Sequence, residues 1–155
     1  MLTLRRRKNV IRKKQKLFRL SEANQLLPEI GRRLKQIQQK KESYSLIHDE
    51  LFMHDLVSSA ERSNGFAEKD DLETRVRDLE QAIEGLAKDV EAIFATGCIL
   101  RDIEKGRVDF PAEVENKRIF WSWELGEPMV RYYRHLKSKF SERILIPARL
   151  LKTAK

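Results

Sequence analysis

Between Leu72 and Ile93 the chain sets apolar residues at steps of 4-3-4-3-4-3: Leu72, Val76, Leu79, Ile83, Leu86, Val90 and Ile93. Held over three heptads, this alternation is the seam of a coiled coil, because it keeps one apolar stripe turned towards a partner helix. A strand is excluded, since its faces alternate every two residues. The pattern therefore predicts a helix from near Asp70 or Asp71, and it demands a second helix to pack against. Gly97 stands where that helix needs a left-handed residue to close. Gly85 lies off the seam, where it costs about 1 kcal/mol relative to alanine.

The partner helix is expected upstream. Ser21 is a good N-cap, with Glu22 in the first turn. Pro28 then predicts either a short helix with a second start or a kink. From Pro28 to about Ser59, Ile30, Leu34, Ile37, Tyr44, Ile47, Leu51 and Leu56 form one stripe, interrupted by Lys41 and His48. Residues 58–70 read as the turn, with Asn64-Gly65 as the breaker. Two such helices pack antiparallel at about +20°. The interrupted stripe requires further cover, from the C-terminal segment or from a second copy in a four-helix arrangement.

After Gly97 the period changes to two. Strands are expected at 98–103, 107–111 and 118–124, with turns at Glu104-Lys105-Gly106 and Glu115-Asn116-Lys117. Gly126-Glu127-Pro128 ends the strands and predicts a short helix over 128–137. Residues 138–147 read as irregular, and the last eight as a helix or a frayed end. The expected fold is α+β and mainly α: a long antiparallel two-helix coiled-coil hairpin, packed with a small antiparallel β-sheet and a short C-terminal helix. Residues 18–155 are expected to form one domain (hairpin 18–97, strands 98–125, short helix and tail 126–155).

Charge divides the chain differently. Residues 1–20 hold Arg5, Arg6, Arg7, Lys8, Arg12, Lys13, Lys14, Lys16 and Arg19 and no acid, whereas residues 21–155 hold 23 basic and 24 acidic residues. The basic character thus belongs to residues 1–17, read as a flexible arm, and not to the domain. Such an arm is a candidate for RNA, DNA or an anionic surface, bound by counterion release. The single cysteine, Cys98, excludes an intrachain disulfide and reads as a small buried residue. No apolar run reaches the ~20 residues of a membrane span, and no apolar stretch follows the basic start as a secretory signal requires. A cytoplasmic protein is expected.

Three segments carry a resemblance. Phe18-Arg19-Leu20-Ser21-Glu22-Ala23-Asn24-Gln25-Leu26-Leu27-Pro28 is similar to an opening F-T-x-E-E-A-N-x-L-L-P, and 101–111 (RDIEKGRVDFP) to K-D-x-x-x-G-L-V-D-F-P. Trp123, Leu125-Gly126-Glu127, Tyr132-Tyr133, Phe140 and Arg143 follow a pattern of C-W-R-L-G-E, an aromatic pair and G-F-x-x-R. Together, over about residues 18–146, they resemble a bacterial family known as domain of unknown function family 2203. The resemblance implies the same hairpin-plus-strands architecture and no activity. Ser122 and Glu124 stand where the pattern has Cys and a basic residue, and Arg134 where it has His, with His135 one step later.

Candidate chemistry centres on Asp102 and Asp109. A two-residue turn at Lys105-Gly106 would pair them directly, which needs a metal, a shared proton or an arginine. A three-residue turn with Gly106 in the left-handed conformation pairs Arg101 with Asp109 and places Cys98, Leu100, Val108 and Phe110 on one face. The second is preferred, with Arg143 as the expected partner of Asp102. Asp102, Glu127 and Arg143, walled by Trp123, would then line a polar pocket, or else form an ion-pair network fixing the tail onto the helices. Trp121 and Trp123 read as core, because Glu124 and Glu127 beside them repel phosphate. His48, His54 and His135 form no ligand set, and no cofactor motif occurs. The leading expectation is a non-enzymatic interaction or oligomerisation module, with the heptad seam carrying association. An enzyme or small-ligand binder and a nucleic-acid or ribosome-associated factor are the alternatives.

Overall fold

A computed structural model describes residues 15–63, 72–138 and 142–153. Residues 1–14 of the basic arm, the turn at Asn64-Gly65 and Phe140 lie outside the described residues. Helix α1 runs Leu20–Ser63 over 44 residues, and α2 runs Leu72–Ala95. The two pack as a hairpin, and a five-stranded sheet and a short helix α3 (Ala148–Thr153) follow.

The start of α1 is capped by Glu22, not by Ser21. The Arg19 amide donates to Glu22 Oε1 at 2.9 Å, the reciprocal half of a capping box, so Ser21 falls inside the first turn. Pro28 is carried within a single continuous helix. Its missing N–H leaves the Asn24 turn one hydrogen bond short. There the Asn24 side chain is put to tertiary use, accepting the Val130 amide at 2.8 Å. Gly97 ends α2 as expected: its φ is 99°, its amide reaches the Phe94 carbonyl, and the Phe18 ring occupies the space a Cβ would need.

The strands form an antiparallel meander in the order β1-β2-β3-β4-β5: Ile99–Asp102, Arg107–Val114, Lys117–Glu124, Tyr132–His135 and Ile144–Leu145. The first three match the period-two reading, with β2 continuing past Pro111. Proline is tolerated there because β1 ends at the Ile99–Asp109 pair. Past that pair the Pro111 carbonyl accepts the Phe18 amide at 2.7 Å, which ties the lead-in to α1 onto the sheet. The β2–β3 turn is the two-residue Glu115-Asn116, one shorter than expected. Both residues have positive φ, as a type I′ hairpin requires.

Two expectations fail after Glu127. In place of the helix over 128–137 there is strand β4 at Tyr132–His135, and the irregular stretch contains β5. The outer edge of β3 would otherwise leave a row of backbone groups unpaired. Residues 132–135 supply that row, and the tyrosines suit a half-buried pleat.

The core lies between one face of the sheet and the base of the hairpin. Val108, Phe110, Ala112, Trp121 and Trp123 meet Leu27, Ile30, Leu34 and Ile37 of α1 and Ile93 of α2. Gly31 packs against the Trp123 ring, which lies 3.7 Å from where a Cβ would stand, an ordinary contact. Beyond Ile37 no residue of α1 is buried. The hairpin therefore projects from the sheet for more than half its length.

Candidate functional site

The face of the sheet turned away from the helices is polar. Asp109 is fully buried there, opposite Ser122 on β3. Its Oδ2 accepts Arg134 Nη2 at 2.6 Å and Arg101 Nε at 2.9 Å. The guanidinium groups of Arg101 and Arg134 also sit over the Phe120 ring, at 5.0 and 5.6 Å from its centroid. A second cluster stands at the other end of β3. Arg143 grips Glu127 in a two-pronged fork, with Nη2–Oε1 at 2.6 Å and Nη1–Oε2 at 3.1 Å. It also donates to the hydroxyl and carbonyl of Ser122 and lies 4.2 Å over the Tyr132 ring. Glu127 in turn accepts the Glu124 amide, while its carbonyl accepts Trp123 Nε1 at 2.9 Å.

Asp102 belongs to neither cluster. The turn after β1 holds Ile103–Gly106, and Asp102 pairs with Arg107 across it. A bulge at Arg101 moves the register, so Asp109 faces Ile99 and Arg101 reaches Asp109 from the bulge. The expected Arg101–Asp109 ion pair thus forms in a register different from the expected one. Asp102 Oδ1 accepts the Lys105 amide at 3.0 Å and caps its own turn. The expected Asp102–Arg143 pairing is replaced by Glu127–Arg143. The network fastens the chain after β4 to the sheet instead of the tail to the helices. Arg134 and Ser122 escaped sequence reasoning, because their importance comes from strand register and not from composition.

Of the candidate pocket residues, Trp123 and Glu127 line an open groove of about 630 Å³ with Asn24, Arg32, Lys35 and Gln39. Asp102, Asp109 and Arg143 are outside it. Acid–base chemistry needs a carboxyl group free to exchange a proton beside substrate space, and here the carboxylates of Asp109 and Glu127 are clasped by arginines. A larger hollow of about 1310 Å³ lies between the start of α1 and the β2–β3 hairpin, bordered by Phe18, Ser21, Gln25, Trp121 and Leu150. Of its carboxylates, Glu22 is engaged in capping α1, Glu113 faces Arg118 and Glu115 pairs with Arg149.

Cys98 is buried, with its thiol beside the Thr96 hydroxyl and the Ile93 carbonyl. Burial pushes its pKa up to about 11, outweighing the lowering effect of the Thr96 hydrogen bond. The thiol is neutral and inert in the folded protein. At pH 8 the native chain is expected to resist iodoacetamide, and to be labelled rapidly once unfolded in urea. The raised pKa means that the folded state holds its proton longer than the unfolded state. The associated stability is complete below about pH 9 and lost as pH rises towards about 11.

The histidines are dispersed. His48 is exposed beside Asp49, His54 meets Ser58 on α1, and His135 packs edge-on against Tyr133. Among the described residues no group of three His, Cys, Asp or Glu side chains is placed to hold a metal ion. No described helix is long and apolar enough to cross a membrane. Of the candidate polyanion-binding cations only Lys16 and Arg19 are described: Lys16 Nζ lies 4.8 Å over the Phe18 ring, and Arg19 is exposed.

The heptad seam works within the chain. Ile93 is buried and Val90, Leu86 and Leu79 are half-buried, whereas Ile83 and Val76 are 48 % and 38 % exposed. On α1 the facing stripe beyond Ile37 is Lys41, Tyr44, Ile47, Leu51, His54 and Ser58, all half-buried. His54 takes the place expected for Leu56, and His48 is off the stripe. Lys41 is on it, and its Nζ reaches Glu104 at 2.6 Å. Leu56 instead joins Leu46, Phe52, Met53 and Val57 as large apolar side chains that are 52–61 % exposed.

Comparison with curated proteins and with solved structures returns no match. Residues 16–146 match the sequence model of a family described as "Uncharacterized conserved protein (DUF2203)". Because that match spans most of its length, the chain belongs to the DUF2203 family.

Proposed function

We propose that the protein is a non-enzymatic interaction module that self-associates through the projecting half of its hairpin. One observation carries this reading: the exposed apolar face formed by Leu46, Phe52, Met53, Leu56 and Val57. At 3.6 residues per turn these five fall within an arc of about 140°, on the side of α1 away from the stripe that meets α2. Together they leave on the order of 500 Å² of apolar surface exposed on one side of the helix, with Asp49 set among them, which is at the upper end of the patches that ordinary surfaces carry. The seam expected to carry association is already engaged within the chain, so the association surface moves to the outer face of α1. In this reading the basic arm adds affinity for polyanions by counterion release. The pocket reading is weaker, because Asp102 caps its own turn and supplies no second carboxylate beside Glu127.

Sedimentation equilibrium of the full chain tests the proposal. The wild-type chain is expected to associate in the micromolar range. A Phe52→Glu, Leu56→Glu variant should sediment as a monomer with unchanged helix content. A wild-type chain that stays monomeric at high micromolar concentration removes the self-association reading.

A further inference from the structure

The projecting half of α1 is acidic as well as apolar. Residues 42–61 hold Glu42, Asp49, Glu50, Asp55 and Glu61 and no Lys or Arg. Asp49 lies one turn from Leu46, Phe52 and Met53, with its side chain 78 % exposed. At 3.6 residues per turn Glu42 and Asp49 fall within the arc of the stripe, so a second copy laid stripe against stripe would set them against their own kind, which an interface disfavours. The face calls for an occupant that is apolar and positively charged.

The chain carries such a segment in residues 1–14. They hold seven Lys or Arg and no acid, together with Met1, Leu2, Leu4, Val10 and Ile11. We infer that the outer face of distal α1 receives the N-terminal arm of a second copy of this chain. This rests on the reading of the protein as an association module and names the segment that makes the contact.

Reach decides between the chain's own arm and another copy's. The segment leading into α1 is anchored at the far end of the hairpin, where the Phe18 amide bonds Pro111 and Lys16 packs beside Gly97. From Leu20, at 1.5 Å per residue, Leu46 is about 39 Å along the helix and Val57 about 56 Å. Fourteen residues drawn fully taut span at most about 46–50 Å. Drawn fully taut, an arm on its own stripe would end about 7–11 Å past Leu46, short of Leu56 and Val57, whereas an arm from another copy meets no such limit. The resulting contact is head-to-tail, joining two different surfaces of the same chain, and it closes into a ring or propagates.

A fluorescein-labelled peptide of residues 1–14, titrated with the full chain and read by anisotropy, tests the inference beside sedimentation of the full chain. The peptide is expected to bind saturably, and to lose about tenfold in affinity as salt rises from roughly 50 to 500 mM, because exposed charge pairs are screened. A full-length Asp49→Lys, Phe52→Glu variant should bind it at least about tenfold more weakly while keeping its helix content. The inference is overturned if the peptide fails to bind, if it binds that variant equally well, or if it binds RNA and not the chain. If the full chain still self-associates in those cases, the association reading stands and only the arm is wrong as occupant. If the full chain is also monomeric, both fall.

Discussion

Replacing Asp109 with alanine is expected to lower the unfolding free energy by about 3–5 kcal/mol, the size seen when one partner of a buried ion pair is removed. Asp109 is fully buried and Arg134 nearly so. The substitution takes the carboxylate away from the nearly buried Arg134 guanidinium, whose Nη2 loses its 2.6 Å contact while Nη1 still faces the Ser138 carbonyl at 3.5 Å. Arg101 is a third exposed and can turn towards water, so its loss counts for less. Urea denaturation followed by circular dichroism checks the effect. Adding Arg134→Met to the Asp109→Ala chain should recover about 1–3 kcal/mol, because it removes a nearly buried charge that has lost its carboxylate. If Asp109→Ala unfolds within experimental error of the wild type, the polar layer is not what fastens β1 and β4 to β2.

Gly106→Ala is expected to cost about 2–4 kcal/mol, combining left-handed backbone strain with overpacking. Gly106 has a φ of 68°, and an added Cβ would stand 2.6 Å from the Cβ of Leu125. That neighbour cannot swing away, because it is the first side-chain atom and the Leu125 amide is itself bonded to the Gly106 carbonyl at 2.9 Å. A double-mutant cycle with Leu125→Gly, which removes the clash at the cost of its own packing against the core, separates the overpacking from the backbone strain. Gly85→Ala is the matched control. Nothing lies within 4 Å of the added methyl, and the helix should gain about 1 kcal/mol.

These sites differ in how legible they were. Gly106 could be read as a left-handed turn residue from the spacing of Arg101, Asp109 and the apolar residues between them. The bulge at Arg101 could not, because one inserted residue leaves the period-two pattern intact on either side. The importance of Asp109 was visible as an ion pair with Arg101. Its shorter contact, with Arg134, depended on 132–135 being a strand, and a local pattern led by Pro128 argued for a helix over 128–137. The exposed stripe on α1 is present in the sequence as Leu46, Met53 and Val57 with Phe52 and Leu56. It could not be separated from the inward stripe without knowing where α2 lies.

The sequence by itself determined the hairpin, the change to strands after Gly97, the buried neutral Cys98 and the segregation of positive charge into the arm. Each of these is a property of neighbouring residues: a heptad step, a two-residue alternation, a lone apolar thiol, a run of cations. Only the tertiary structure decided that residues 132–135 form a strand, that Arg143 holds Glu127 and not Asp102, and that cover for α1 stops at Ile37. Those outcomes turn on which distant group reaches an unpaired edge, a buried charge or an apolar face first. That contest is settled by register and distance in three dimensions, and local periodicity carries no record of it. The hairpin was thus written along the chain, while its exposed acidic and apolar tip emerged only when the sheet proved too short to cover it.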